Sequence, residues 1–170
     1  ANYKDIFTDY AFVYSFFRTI QYSFLSVVFV NIFAFGIALL VTQKLKLKNI
    51  YRAGFFMPNL IGGLVLGYIW KFVYSSALPA ISESLGPNLS LNADTAMGAI
   101  IAVVVWQYAG YIMMIYIAAL QNVPQDLIEA SKIDGASAWQ RLKAITLPLV
   151  AQAFTISLFL TLVTSFKQFD

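Results

Sequence analysis

Four stretches of this chain, residues 19–43, 53–70, 95–125 and 144–166, contain no charged side chain. An α-helix needs roughly 20 mainly apolar residues to cross the hydrocarbon core of a bilayer, with about 17–25 as the working range. Each stretch is long enough, and random scattering of 11 basic and 8 acidic residues would not leave such gaps. The whole chain is 60% hydrophobic and 11% charged, against roughly 45–50% apolar and about 25% charged in a soluble domain. In lipid every backbone polar group must be satisfied within the segment, so apolar runs of this length cross as helices. The pattern predicts an all-α, polytopic transmembrane helical bundle.

The residues that are missing narrow the chemistry. There is no cysteine, so disulfides, thiol nucleophiles and thiolate metal sites are excluded. There is no histidine either, which removes the commonest general base and metal ligand. Intramembrane hydrolases need a nucleophile with a base, or a bound metal; an enzyme is not expected, and no metal site is. Ion-coupled carriers place ionisable groups deep in their spans, and the four stretches have none. No glycine is followed by lysine, so the phosphate-cradling G-x-x-x-x-G-K-[ST] loop is absent and ATP is not hydrolysed here by that route. The net charge of +3 is small and dispersed, which points to membrane topology and not to nucleic acid.

Along the chain, the first span is expected from Ile20 to Val41. Residues 1–18 lack the basic leader, apolar run and small-residue cleavage site of a signal peptide. Lys44, Lys46, Lys48 and Arg52 then crowd one short connection with no acid. Alternation of Lys and Leu there also fits a surface strand, but a loop between spans is preferred. The second span is expected from Phe55 to Tyr74, carrying Pro58, Asn59, Gly62, Gly63 and Gly67. Residues 75–94 read as a loop containing Pro79, Gly86, Pro87, Glu83 and Asp94. The third span runs from Ala96 to Leu120, with a polar interruption at Trp106-Gln107-Tyr108-Ala109-Gly110-Tyr111. The fourth runs from Ile145 to Phe166. The chain lacks an initial Met and stops soon after its fourth span, so it is expected to be a single transmembrane domain over residues 1–170, incomplete at both ends and drawn from the middle of a larger protein.

Alternating spans put Lys44, Lys46, Lys48, Arg52, Lys132, Arg141 and Lys143 on one side, and Lys4, Arg18, Lys71 and Lys167 on the other. Basic residues in short loops collect on the cytoplasmic side. Loops 43–53 and 121–143 are therefore expected to be cytoplasmic.

The 121–143 loop carries most of the local information. Pro124 suits a first helical position, and Asp126 and Glu129 place negative charge near a helix N-terminus. A short helix is expected over Pro124–Ile133. Gly135 can take the left-handed conformation that ends it, and Ser137 with Gln140 forms a capping box that opens another. Such a loop could be a plain interfacial helix pair returning the chain to the membrane. Its small residues also leave the backbone open to another protein's surface.

Spacing favours the second reading. Glu129-Ala130-Ser131, three residues, Gly135, nine residues, then Ile145-Thr146-Leu147-Pro148 resembles the E-A-A, three, G, nine, I-x-L-P signature of permeases of ABC importers. Leu120-Gln121-Asn122-Val123-Pro124 and Ile133-Asp134-Gly135-Ala136-Ser137 resemble the maltose and multiple-sugar branch. So do Phe55-Phe56-Met57-Pro58 with Gly63 and Trp70, Trp106-Gln107, and Phe166-Lys167-Gln168-Phe169-Asp170. One departure is Ser131, where the signature commonly has alanine. Serine is nearly as small and can return its hydroxyl to a helical carbonyl, so docking is expected to survive.

The resemblance implies a type I ABC importer permease fold in the plasma (inner) membrane of a bacterium or archaeon. It implies that Glu129, Ala130, Ser131, Asp134, Gly135 and Ala136 couple the bundle to a partner ATPase, which binds the ATP and Mg. Two ATP-binding subunits or a dimeric ATPase, a second homologous or identical permease, and an extracytoplasmic solute-binding protein are the implied partners. Glu129 would meet the ATPase surface; alternatively it is a solvated i,i+3 partner of Lys132. Pro148 would pass the motion of the loop into the bundle. A sugar or oligosaccharide is the implied solute, with Asn59, Trp106, Gln107, Tyr108 and Tyr111 as path candidates, though aromatic residues also collect at membrane interfaces. The alternatives are the same architecture importing a glycerol phosphate or amino acid, and a membrane scaffold without transport.

Overall fold

The computed structural model describes residues 9–43, 46–81 and 93–167. Lys4, Lys44, Glu83, Gly86, Pro87 and residues 168–170 lie outside the described residues, as does the Asp94 side chain. Everything described is helical or connects helices. α1 (Tyr10–Val41) is opened by Asp9, whose carboxylate accepts from the Ala11 amide at 2.9 Å. Its 32 residues span about 48 Å, more than the roughly 30 Å hydrocarbon core, and contain the expected span Ile20–Val41. α5 (Ala93–Gln121) is of similar length.

α1 and α5 run parallel. A groove between them is lined by Arg18, Gln21 and Leu25 against Met97 and Gly98, and it continues to Phe33 and Ile37 against Val105 and Ala109. α9 (Ala151–Phe166) runs antiparallel to both, since Asn31 meets Thr161 whereas Phe35 meets Phe154. Ala34 and Ala38 are fully buried on α1, where small side chains let helices approach closely. Around them pack Val30, Ile112, Met113, Tyr116 and Ala153. Phe35, Tyr116 and Phe154 form a mutual ring cluster with centroids 4.8–5.3 Å apart.

A polar stitch crosses this core. Tyr116 Oη donates to Asn31 Oδ1 at 2.7 Å, and Asn31 Nδ2 donates to Thr161 Oγ1 at 3.0 Å and to the Val27 carbonyl at 2.8 Å. One amide on α1 thereby ties α5 and α9 together. Such bonds average about 0.6 kcal/mol in membrane bundles, with a maximum near 1.7.

The second crossing departs from expectation. α2 (Lys48–Phe56) passes into a 3-10 turn at Met57–Leu60, and the chain then breaks at Ile61 and Gly62. Proline supplies no amide donor, and Pro58 sits in that turn. The helix long and apolar enough to cross runs instead from Gly63 to Ile81, as α3 (Gly63–Phe72), a π-helical turn at Val73–Ala77, and α4 (Leu78–Ile81). The expected span Phe55–Tyr74 is thus shifted toward the C-terminus, and residues 75–81 are helix where a loop is expected. Lys71 lies within this candidate span, as it already does within Phe55–Tyr74, which corrects its placement among the loop cations and the expectation that no span holds an ionisable group.

The third span is an unbroken helix through Trp106–Tyr111; the polar residues there do not interrupt its backbone. The fourth is not a straight helix from Ile145. Residues Ala138–Leu149 and Ala151–Phe166 meet at a 69° bend, where Val150 leaves helical geometry at φ −96° and ψ 7°. Among the described residues three helices are long and apolar enough to cross a membrane, or four if the bent pair is one span.

Candidate functional site

The parallel course of α1 and α5 brings the connections that follow them to one end of the bundle. After α5, Val123 is buried and anchors the exit of the chain. Pro124 is extended at ψ 127° and caps α6 (Gln125–Ile133) from outside, one position before the first helical position expected for it. Asp126 lies in the first turn and Lys132 in the last, each placed to oppose the helix dipole.

The bend after α6 is built as the sequence predicts. Gly135 has φ +77°, a left-handed conformation that costs a side-chain-bearing residue roughly 1–2 kcal/mol. The Ala136 amide donates to the Ser131 carbonyl at 2.9 Å and the Gly135 amide to the Lys132 carbonyl at 3.1 Å, the two bonds of a Schellman motif. Ser131 Oγ donates to the Ile128 carbonyl at 2.8 Å, so the serine spends its hydroxyl inside its own helix. The next helix, α7 (Ala138–Arg141), opens with the reciprocal box: the Ser137 amide donates to Gln140 Oε1 at 2.7 Å, and the Gln140 amide to Ser137 Oγ at 3.3 Å. Arg141 Nη1 donates back to the Ala136 carbonyl and locks the corner. A π-helical turn at Leu142–Thr146 and α8 (Leu147–Leu149) carry the chain to the bend.

Glu129, Ala130, Asp134 and Gly135 are exposed, and Ser131 and Ala136 are half-buried. The same loop presents Leu127, Ile133 and Trp139 at 46, 87 and 68% exposure. The loop is stiff by its own hydrogen bonds and offers apolar side chains that nothing in the described chain covers.

The five path candidates do not converge. Trp106 lies on the groove between α1, α2 and α5, beside Pro58, with its ring edge-on to Trp70 at 5.5 Å. Tyr108 faces a small recess lined also by Ser26, Val30, Val104, Thr161, Thr164 and Ser165. Gln107 is buried, Tyr111 is exposed and Asn59 is half-buried in the 3-10 turn. Successive residues of a helix point about 100° apart, so one run of six cannot face one path. Two groups are gained from the structure. Tyr74 extends the ring set, its ring tilted against Trp70 at 5.3 Å and its hydroxyl donating to the Ala99 carbonyl at 2.9 Å; its only sequence signal was an aromatic four residues after Trp70. Asn31 was signalled as the one asparagine in its uncharged stretch. Among the described residues no group of three or more carboxylate or other ligating side chains could hold a metal ion.

Comparison with known proteins gives one consistent family. The family model described as "Binding-protein-dependent transport system inner membrane component" matches residues 10–170. The chain is 42% identical over 174 residues to the probable starch degradation products transport system permease protein AmyD of Thermoanaerobacterium thermosulfurigenes, covering 99% of this chain and 59% of that protein. It is 31% identical over 175 residues to the trehalose/maltose transport system permease protein MalF of Thermococcus litoralis, again covering 99% of this chain and 59% of that protein. It thus spans about 59% of the length of these relatives. Its fold matches a chain of a bacterial ABC transporter involved in the import of the acidic polysaccharide alginate, with TM-score 0.83 and 18% identity, over 94% of this chain and 58% of that one.

Proposed function

The chain belongs to the binding-protein-dependent transport system inner membrane component family, and we propose that it forms part of the membrane-spanning subunit of an ATP-driven importer for a sugar or oligosaccharide. The observation that carries this is the 121–143 loop: a self-braced helix, left-handed glycine bend and capped second helix, with Leu127, Ile133 and Trp139 open to a partner. Exposed apolar side chains on a rigid element mark a protein contact. In this reading Glu129, Ala130, Ser131, Asp134, Gly135 and Ala136 dock on a cytoplasmic ATPase, which holds ATP and Mg. The bend at Val150 turns displacement of the loop into displacement of α9, and the Asn31 stitch passes it to α1 and α5. The ATPase shifts the bundle only insofar as it binds one arrangement better than another.

The sugar assignment draws on the relatives for starch degradation products and for trehalose/maltose. A phosphorylated polyol is the second reading, supported by 27% identity to the sn-glycerol-3-phosphate transport system permease protein UgpA of Pectobacterium atrosepticum. An extracytoplasmic solute-binding protein and a second permease complete the proposed assembly, with loops 43–53 and 121–143 on the ATPase side. The test is uptake of labelled maltooligosaccharide and of glycerol phosphate by the complete transporter in vesicles, with ATP inside and binding protein outside. Sugar uptake that needs both is expected. Uptake of glycerol phosphate alone overturns the sugar assignment, and a chain that copurifies with no ATPase overturns the transporter reading.

A further inference from the structure

Lys71 is the ninth of the 19 residues in the second candidate crossing, Gly63–Ile81. The neighbouring helix gives the same depth. Trp70 meets Trp106 edge-on at 5.5 Å, and Trp106 is the twelfth of the 27 residues in the crossing Thr95–Gln121. Both helices therefore put Lys71 near mid-depth, where about 15 Å of hydrocarbon separates it from either surface. Lysine stems carry their charge to the headgroups only near helix ends, so this cation is too deep to snorkel. Lys71 is exposed on the described chain, and none of residues 11–82, 95–125 and 144–166 is acidic, so no crossing of this chain offers it a carboxylate. Ionisable groups at such depth face a bundle interior or a water-filled cavity, because lipid does not solvate them.

The helix around Lys71 has three distinct faces. Leu66 is buried, and Trp70 and Tyr74 pack on α5. Val65, Ile69 and Phe72 are exposed and apolar. Tyr68, Lys71 and Ser75 follow one another at steps of three and four residues, which makes them neighbours on one face, and all three are exposed. A hydroxyl, an ammonium and a second hydroxyl thus occupy two turns of a helix at mid-membrane, beside Gly67, where a Cβ meets nothing within 4 Å. We propose that this face walls the water-filled route of the solute, and that the Lys71 ammonium donates to oxygen atoms of the solute, either sugar hydroxyls or a phosphate. A docked helix could meet the charge with one carboxylate, but it would leave the polarity of Tyr68 and Ser75 unmatched; water and an oxygen-rich solute meet all three groups. The inference rests on the importer reading of the chain and adds a position on its solute route.

The test is thiol labelling of the complete transporter in vesicles, its other subunits freed of reactive cysteine, with a charged, membrane-impermeant methanethiosulfonate on both sides. This chain has no cysteine of its own. The reagent needs a thiolate, which forms in water and not in lipid. Lys71→Cys should therefore react about tenfold faster than Phe72→Cys, which lies at the same depth on the apolar face. Saturating solute should slow that reaction; maltooligosaccharide and glycerol phosphate, added separately, distinguish sugar hydroxyls from a phosphate. Lys71→Met should lower ATP-driven uptake about tenfold and Lys71→Arg should retain it, as for the loss of one hydrogen bond from a charged donor. Equal labelling of Lys71→Cys and Phe72→Cys overturns the aqueous face, because a docked helix or lipid would then cover it. Labelling that neither solute slows, or full uptake by Lys71→Met, overturns the contact with solute. Absence of uptake by the unsubstituted transporter would instead remove the importer reading, and the labelling contrast would still decide the face.

Discussion

Replacing Gly110 by alanine is the sharpest test of the packing that positions the broken second crossing. A Cβ built on Gly110 falls 1.7 Å from the Phe55 carbonyl oxygen, 2.4 Å from its carbon and 3.0 Å from the Phe56 amide nitrogen. All three are backbone atoms, so no rotamer change relieves the clash. The last turn of α2 must retreat by at least about 1.3 Å to reach even a tight 3.0 Å contact, in a core that packs like a crystal. Overpacking costs typically about 1–3 kcal/mol and occasionally more, while alanine in place of glycine inside a helix returns up to about 1 kcal/mol. We expect a net loss of about 2 kcal/mol, roughly a thirtyfold shift toward the unfolded state. Gly36→Ala is the matched control, because a Cβ there meets nothing within 4 Å, and it should be neutral or mildly stabilising. The assay is reversible unfolding of the detergent-solubilised transporter, followed by tryptophan fluorescence, which also reports Trp106 beside the displaced turn. Equal stability of the two variants would refute the close approach of α2 to α5.

Three other substitutions probe the loop and the core. Gly135→Val puts a β-branched residue at φ +77° and should abolish ATP-driven uptake while the spans still assemble; normal uptake in an assembled complex would show that the bend is not the coupling element. Ser137→Ala removes the acceptor for the Gln140 amide and should cost about 1 kcal/mol of local stability, read as faster hydrogen exchange confined to residues 138–141. Asn31→Ala removes the acceptor of the Tyr116 hydroxyl and a donor to Thr161, whose own hydroxyl still donates to the Ser157 carbonyl, and should cost about 1–3 kcal/mol; in a double-mutant cycle with Tyr116→Phe, the coupling should fall near 0.6–1.7 kcal/mol, and zero coupling would mean that the stitch contributes nothing.

How much of this was legible in the chain depended on how local the cause was. The Gly135 bend, the Ser137–Gln140 box and the short helix before them are set by residues within about six positions of one another, and the structure reproduces each. The first and third crossings were legible because bilayer solvation imposes length and apolarity on any helix that spans. The second crossing was not: apolarity alone placed it at Phe55–Tyr74, whereas the break at Ile61 and Gly62 and the helix reaching Ile81 depend on where Pro58 and Phe55 lean on α5. Side-chain chemistry grouped Trp106, Gln107, Tyr108 and Tyr111 at one polar break in the sequence, and the helix spreads them around its circumference.

The sequence by itself determined that this chain lies in a membrane as helices, and that residues 121–143 fold into a braced loop, because exclusion of charge from lipid and hydrogen bonding within a turn are short-range requirements. Only the tertiary structure decided that Asn31 meets Tyr116 and Thr161, and that Gly110 must remain bare beneath Phe55. Those facts join residues distant in the chain, and a contact between helices is set by the shapes of both surfaces together, which neither segment specifies alone.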